Sequence, residues 1–198
     1  MIKLEHVVLA SPEQMEFIIE GMRNPMNSWD KSDSNCCDID SFGQCRGCDH
    51  PDRCMYYSDF YLGENDHSLM QRLAKAGTDH RKFMRMMPVY VRITAPLYWW
   101  KEFDTYKVGT VANSCSTMHK IHSKEFTFDD FSHEKLINSA CMEIQEQHIR
   151  ISPIQALATT IECLNSYRDL YLQTKDKKYW WQMIQLLPSS YNQKRTVM

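Results

Sequence analysis

Five of the eight cysteines crowd into one stretch, at Cys36, Cys37, Cys45, Cys48 and Cys54, and Cys45-x-x-Cys48 has the bite of a zinc half-site. Cys37 and Cys54, with His50 as a further donor, could complete a tetrahedral set around it. No second Cys-x-x-Cys follows and the outer spacings are irregular, so reduced thiols in a long loop stand as the competing reading. Cys115, Cys141 and Cys163 lie singly in segments that read as ordered core, where a free thiol behaves as a small hydrophobe.

A second concentration of chemically useful types follows an aromatic segment. Thr105, Tyr106, Lys107, Gly109, Thr110, Asn113, Ser114, Ser116, Thr117 and His119 come in close succession. Hydroxyls, an amide, a lysine and a histidine gathered after a helix are what a phosphate or nucleobase pocket needs. A polar helix end and turn is the alternative. The chain has no Gly-x-Gly-x-x-Gly, no Walker loop, no His-Glu-x-x-His and no Gly-x-Ser-x-Gly, and its six glycines are scattered. A dinucleotide fold, a P-loop enzyme, a zinc protease and a serine hydrolase are therefore excluded on motif grounds.

The elements that must position these residues can be read from spacing. Residues 2–9 alternate as a strand, and Ser11-Pro12 opens a helix over 12–22. From Asn24 to about Asp59 the Asn-, Ser-, Asp- and Cys-rich sequence predicts a long insertion-like loop. A second helix is expected from Asn65 or Asp66 as cap, stopped by Gly77. Val89–Ile93 reads as a strand, Ala95-Pro96 as the start of an aromatic helix, and 128–148 as a helix with the stripe Ile137, Ala140, Cys141 and Ile144. Ser152-Pro153 starts a further helix to Leu172, a short one covers 178–187, and the tail from Tyr191 is extended. The expectation is one α+β domain of 198 residues.

Composition narrows the function. The formal charge of −2 argues against a protein that wraps duplex nucleic acid. No apolar run reaches the roughly 20 residues that span a bilayer, and Met1–Ala10 lacks the pattern of a secretory leader, so a cytoplasmic protein with no membrane partner is expected.

From His80 onward the order of parts resembles the flavin-dependent thymidylate synthases (ThyX, the thymidylate-synthase-complementing proteins). That family carries Gly-His-x-(Ser/Thr)-Pro-x-(Glu)-His before an alternating strand, then an Ala-Pro helix start. About one helix later comes Arg-His-Arg-x-x-Ser-x-Asn-Glu-x-Ser-x-Arg-Tyr. Laid on this chain without gaps, the first histidine falls on His80, the strand on Val89–Ile93 and the Ala-Pro pair on Ala95-Pro96. The Arg-His-Arg triplet falls on Thr105-Tyr106-Lys107 and the motif serine on Thr110, while a one-residue shift brings in Asn113 and Ser116. Leu187-Pro188-Ser189-Ser190-Tyr191 is similar to the family's Leu-Pro-x-x-Tyr lead into a late strand.

The resemblance implies a small, mostly antiparallel sheet flanked by helices, FAD as cofactor, and methylation of dUMP to dTMP. It assigns His80, Tyr106, Lys107 and Thr110 to cofactor and phosphate, and Asn113, Ser116 and His119 to base or ribose. It also implies a homotetramer with nucleotide and flavin sites between subunits. The departures carry chemistry of their own. Lys107 is the one cation left in the triplet, and an ammonium does not reproduce a bidentate guanidinium. Thr117 and Met118 stand where the motif closes on Arg-Tyr. An alternative therefore stands beside the enzyme: a non-catalytic homologue, phage-encoded or from another mobile element, that binds or sequesters a nucleotide or cyclic nucleotide.

Overall fold

The computed structural model describes residues 2–36, 38–39, 45–46, 60–106, 108–144 and 149–198. Among them are ten strands: β1 (Lys3–Val8), β2 (Asn35–Cys36), β3 (Asp38–Ile39), β4 (Cys45–Arg46), β5 (Phe60–Tyr61), β6 (Tyr90–Pro96), β7 (Ala112–Ser114), β8 (Met142–Ile144), β9 (Ile149–Ile151) and β10 (Asn192–Val197). The five α-helices are α1 (Pro12–Arg23), α2 (Glu64–Lys75), α3 (Leu97–Phe103), α4 (Pro153–Thr174) and α5 (Lys177–Leu186). The chain divides into two compact units, one of Met1–Val7 with Tyr90–Met198 and one of Val8–Val89.

The unit Val8–Val89 is built on two helices. Ser11 and Gln14 form a reciprocal capping box, with Pro12 at the first helical position, so α1 starts where the sequence places it. Ile18, Ile19 and Met22 of α1 pack with Leu69 and Met70 of α2 and with Phe83, which a 3-10 turn over Lys82–Met86 supplies. Each such buried side chain contributes about 1.5–3 kcal/mol. The start of α2 departs from expectation: its N-cap is Gly63, which has no side chain to offer, and Asp33 does the capping instead. The stretch read as loop is ordered at its beginning, with 3-10 turns at Asn24–Met26 and Trp29–Lys31 leading into β2, which pairs with β5.

The second unit holds a four-stranded sheet in the order β1-β6-β10-β7. β10 is antiparallel to both β6 and β7, so the extended tail is a central strand. Ile93, Ala95, Trp100 and Val197 form its core, and the Trp100 indole N–H donates to Gln193 O at 2.9 Å. Pro96 cannot cap α3 with a side chain. The free N–H groups of Leu97 and Tyr98 donate instead to Tyr191 O and Ser189 O, from the Leu-Pro-x-x-Tyr segment. A second cluster joins Leu157, Ile161 and Leu164 of α4 to Met183 of α5 and to Ile121, Phe126 and Phe131. A capping box of Ser152 with Gln155 starts α4. The result is an α+β fold with a small antiparallel sheet.

Of the helix expected over 128–148, residues 145–148 lie outside the described residues, and 128–144 form no α-helix. A Thr127–Asp130 capping box closes a single 3-10 turn, Phe128–Asp130, and Phe131 then leaves it to form a bridge with Tyr191. Farther on, β8 pairs with β9, with Met142 opposite Ile151 and Ile144 opposite Ile149. Of the expected stripe only Ile144 falls on the hairpin, two residues from Met142 in the period of a strand, and Phe131 is buried at 1% exposure. Ile137, part of the supposed stripe, is 60% exposed. The thiols also depart from expectation: Cys115 and Cys141 are exposed and Cys163 is half-buried, because the first follows an edge strand and the second precedes the hairpin.

Candidate functional site

The polar run expected to hold a nucleotide is shaped by the end of α3 and by β7. Thr105 Oγ1 donates to Lys101 O at 3.1 Å, finishing the helix, and Tyr106 follows with 74% of its surface exposed. Lys107 lies outside the described residues. Gly109 has φ +76°, a left-handed conformation that side chains resist, and it turns the chain back towards the sheet. Val111 and Met198 then exchange both backbone hydrogen bonds, at 3.0 and 2.9 Å. Thr110 is half-buried at this turn. Asn113 sits on β7 directly opposite Thr196, and Ser116 Oγ accepts the backbone N–H of His119 at 2.9 Å. Thr110, Asn113, Ser116 and His119 thus occupy one continuous turn-strand-turn, with Tyr106 leading into it. His80 belongs to the other unit.

Arg195 holds this region in place. Its Nη1 reaches both oxygens of Asp104 at 3.1 Å, its Nε donates to Gln193 Oε1 at 2.9 Å, and its guanidinium carbon lies 4.2 Å from the Trp100 ring centroid. Gln193 Nε2 donates in turn to Cys115 O at 3.0 Å. The end of α3, the middle of β10 and the exit of β7 are tied together through Arg195, 16% exposed, and Gln193. Nothing in the sequence marks Arg195. Its role follows from the register that sets it opposite Ser114 on one side and Ile93 on the other.

The opposite face of the sheet is polar. Thr196 is flanked by Arg92 and Asn113, and Lys194 faces Thr94 one row away. Arg92, Asn113, Lys194 and Thr196 are exposed, and Thr94 Oγ1 is buried with no hydrogen-bond partner among the described residues. Two cations, of which Lys194 is paired with Glu5 at 3.5 Å, two hydroxyls and an amide on one pleated face can bind an anionic, hydrogen-bonding ligand. Arg92 and Lys194 are additions to the residues that sequence reasoning singles out. The Val-Arg-Ile and Gln-Lys-Arg-Thr-Val alternations carry the signal, but only strand pairing brings them side by side.

In the unit Val8–Val89, His80 is exposed in the turn after α2 and lines a cavity of about 460 Å³. Most of its wall is apolar, with Met22, Met26, Leu73 and Phe83, and Asp79 and Lys82 are its other polar groups. Beside it lies a buried ion pair: Arg23 Nε donates to Asp66 Oδ1 at 2.6 Å, with the two side chains 4% and 0% exposed. Burial pushes the Asp66 carboxyl up, but hydrogen bonds from Ser34 and Ser32 and the adjoining Arg23 outweigh it, and the group ends below the usual carboxylate range.

Of the proposed zinc ligands, Cys37, Cys48 and Cys54 lie outside the described residues, as does His50, and Cys45 lies on β4. Among the described residues no group of three or more His, Cys, Asp and Glu could hold a metal ion. No helix there is long and apolar enough to cross a membrane.

The arrangement defines a ThyX-like class of fold. The chain is similar to the flavin-dependent thymidylate synthase ThyX from Helicobacter pylori complexed with FAD and dUMP, with a TM-score of 0.54 and 13% identity over 99% of this chain and 76% of that one. A second structure of the Helicobacter pylori protein with FAD and dUMP superposes with a TM-score of 0.55 at 12% identity. The UMP/dUMP methylase PolB from Streptomyces cacaoi, bound with 5-Br UMP, matches all of this chain and 70% of its own, with a TM-score of 0.52 and 10% identity. No protein-family model matches the sequence, and no curated protein matches it. The likeness is one of fold.

Proposed function

We propose that this chain binds a uridine nucleotide through the polar run of its sheet unit, with FAD as the cofactor of a dUMP-methylating reaction. The observation that carries this reading is the fold likeness along 99% of the chain to an enzyme held with FAD and dUMP. Thr110, Asn113 and Ser116 supply hydroxyl and amide partners for phosphate, ribose and base, Lys107 supplies charge, and Tyr106 and His119 flank them. Arg92 and Lys194 extend the cationic surface on the Asn113 face. His80 fits the cofactor role, because its mostly apolar cavity suits a planar ring with a few polar contacts. A bound flavin supplies the hydride, so the work of the protein's own residues is to bind, orient and exclude water. Assembly as a homotetramer belongs to the same proposal.

One observation favours a second reading. Thr105-Tyr106-Lys107 lacks the two guanidinium forks of the family triplet, which weakens the hold on a diphosphate and supports a nucleotide-sequestering homologue without turnover. Calorimetric titration with dUMP, alone and with FAD, tests both. Binding of dUMP that depends on Lys107, with FAD bound and deuterium of the reduced cofactor traced into product, supports the enzyme. Binding of dUMP with no FAD uptake supports sequestration. Absence of dUMP binding at millimolar concentration overturns both.

A further inference from the structure

We propose that the unit Val8–Val89 carries an anion site of its own, suited to a phosphate-bearing small molecule. It is the cavity of about 470 Å³ lined by Arg23, Ser28, Lys31, Asn65, Ser68 and Arg72. The site shares no residue with the polar run of the sheet unit, and with the His80 cavity it shares only Met26, which with Leu69 supplies its apolar wall.

The wall presents three cations, two hydroxyls and an amide, and no carboxylate. Asn65, Ser68 and Arg72 recur at i, i+3 and i+7, so one face of α2 delivers all three. The 3-10 turns after α1 bring Ser28 and Lys31.

Asp30 beside Lys31 and Glu64 beside Asn65 are exposed and line no part of the cavity, while Asp66 and Asp33 are engaged elsewhere. Asp66 is fully buried, and its Oδ1 takes Arg23 Nε. Its Oδ2 takes Ser32 Oγ, Ser34 Oγ and the backbone N–H groups of Asp33 and Ser34. The Asp33 oxygens take the N–H groups of Asn65 and Asp66.

Arg23 is therefore locked in position before any ligand arrives. Its Nε is held by Asp66, its Nη1 by Ser28 O at 3.2 Å and Ser28 Oγ at 3.4 Å, and its Nη2 donates to no described residue. Lys31 and Arg72 are exposed and form no ion pair among the described residues. Arg23 has its counter-charge in Asp66, but Lys31 and Arg72 have none among the described residues; on one concave wall they repel one another, and a bound anion relieves that repulsion. A guanidinium, an ammonium and flanking hydroxyls match the three acceptor oxygens of a phosphate better than the two of a carboxylate. The volume exceeds that of one phosphate group, leaving room for the body of a small phosphate ester.

The test uses the full chain and inorganic pyrophosphate as probe, followed by calorimetry. Saturable binding is expected, weakening as salt is raised. Arg72→Gln and Lys31→Gln should each weaken it about tenfold, the scale of a hydrogen bond between charged groups. Lys75→Gln removes a cation from the same helix outside the cavity and should leave it unchanged. Ser68→Glu places a carboxylate in the wall and should abolish binding, with thermal midpoints of all variants confirming folding. No saturable binding, equal binding in Arg72→Gln and Lys75→Gln, or equal affinity for malonate overturns the proposal. Pyrophosphate binding without dUMP binding would sustain this site and remove the nucleotide reading above.

Discussion

Asp33 and Asp66 cap each other. The carboxylate of Asp33 accepts the backbone N–H groups of Asn65 and Asp66 at 2.9 and 3.1 Å, and the carboxylate of Asp66 accepts those of Asp33 and Ser34 at 3.2 and 3.1 Å. One exchange therefore satisfies the first turn of α2 and the chain that precedes β2, while Arg23 neutralises the buried charge.

Removing one partner of that buried pair leaves the other charge uncompensated. Asp66→Asn should lower the unfolding free energy by about 3–5 kcal/mol, read from urea denaturation. A loss below about 1 kcal/mol would show that the network is not held together by charge.

The same carboxylate sets a pH dependence. Its folded-state value lies below the unfolded one, so its contribution is fully present above the unfolded value of about 3.9 and fades as pH falls through the folded value. Thermal midpoints of the native chain and Asp66→Asn, measured from pH 7 to pH 2, should converge below about pH 4. A constant gap across that range would refute the assignment.

Gly63 is fixed by proximity. A Cβ there would collide with the Asp33 carboxylate and with the Asp33 carbonyl oxygen. Gly63→Ala should destabilise the chain by about 1–3 kcal/mol, the usual scale of overpacking. Because the collision includes backbone, Asp33→Ala should not rescue it.

Arg195 donates from Nη1 to both Asp104 oxygens, from Nε to Gln193, and stacks on Trp100, a combination that a single lysine ammonium cannot copy. Arg195→Lys should cost about 1–2 kcal/mol, with a non-additive double-mutant cycle against Asp104→Ala. It should also weaken dUMP binding, because Gln193 and Cys115 lose their anchor. Additive cycles would disprove the clamp.

Asn113 offers the cleanest separation of binding from folding. Its side chain is exposed beside Thr196, so Asn113→Ala should leave the thermal midpoint within a few degrees. About a tenfold loss of dUMP affinity is expected from one hydrogen-bonding group. Unchanged affinity would remove the residue from the site.

Short-range chemistry is legible in the residues alone. Ser11-Pro12 and Ser152-Pro153 set the starts of α1 and α4 through capping boxes that span three residues, and alternation marks β1 and β6. Over 128–144 the helical spacing of Ile137, Ala140, Cys141 and Ile144 favours a helix when read locally. The burial of Phe131 and the β8–β9 pairing selected otherwise. Tertiary structure alone decided that Asp33 caps a helix 31 residues on, beginning at Glu64. It also decided that Arg195 meets Asp104 and that Arg92 and Asn113 flank Thr196. These contacts join residues far apart in the chain, and their energy depends on burial and register, which no local spacing encodes.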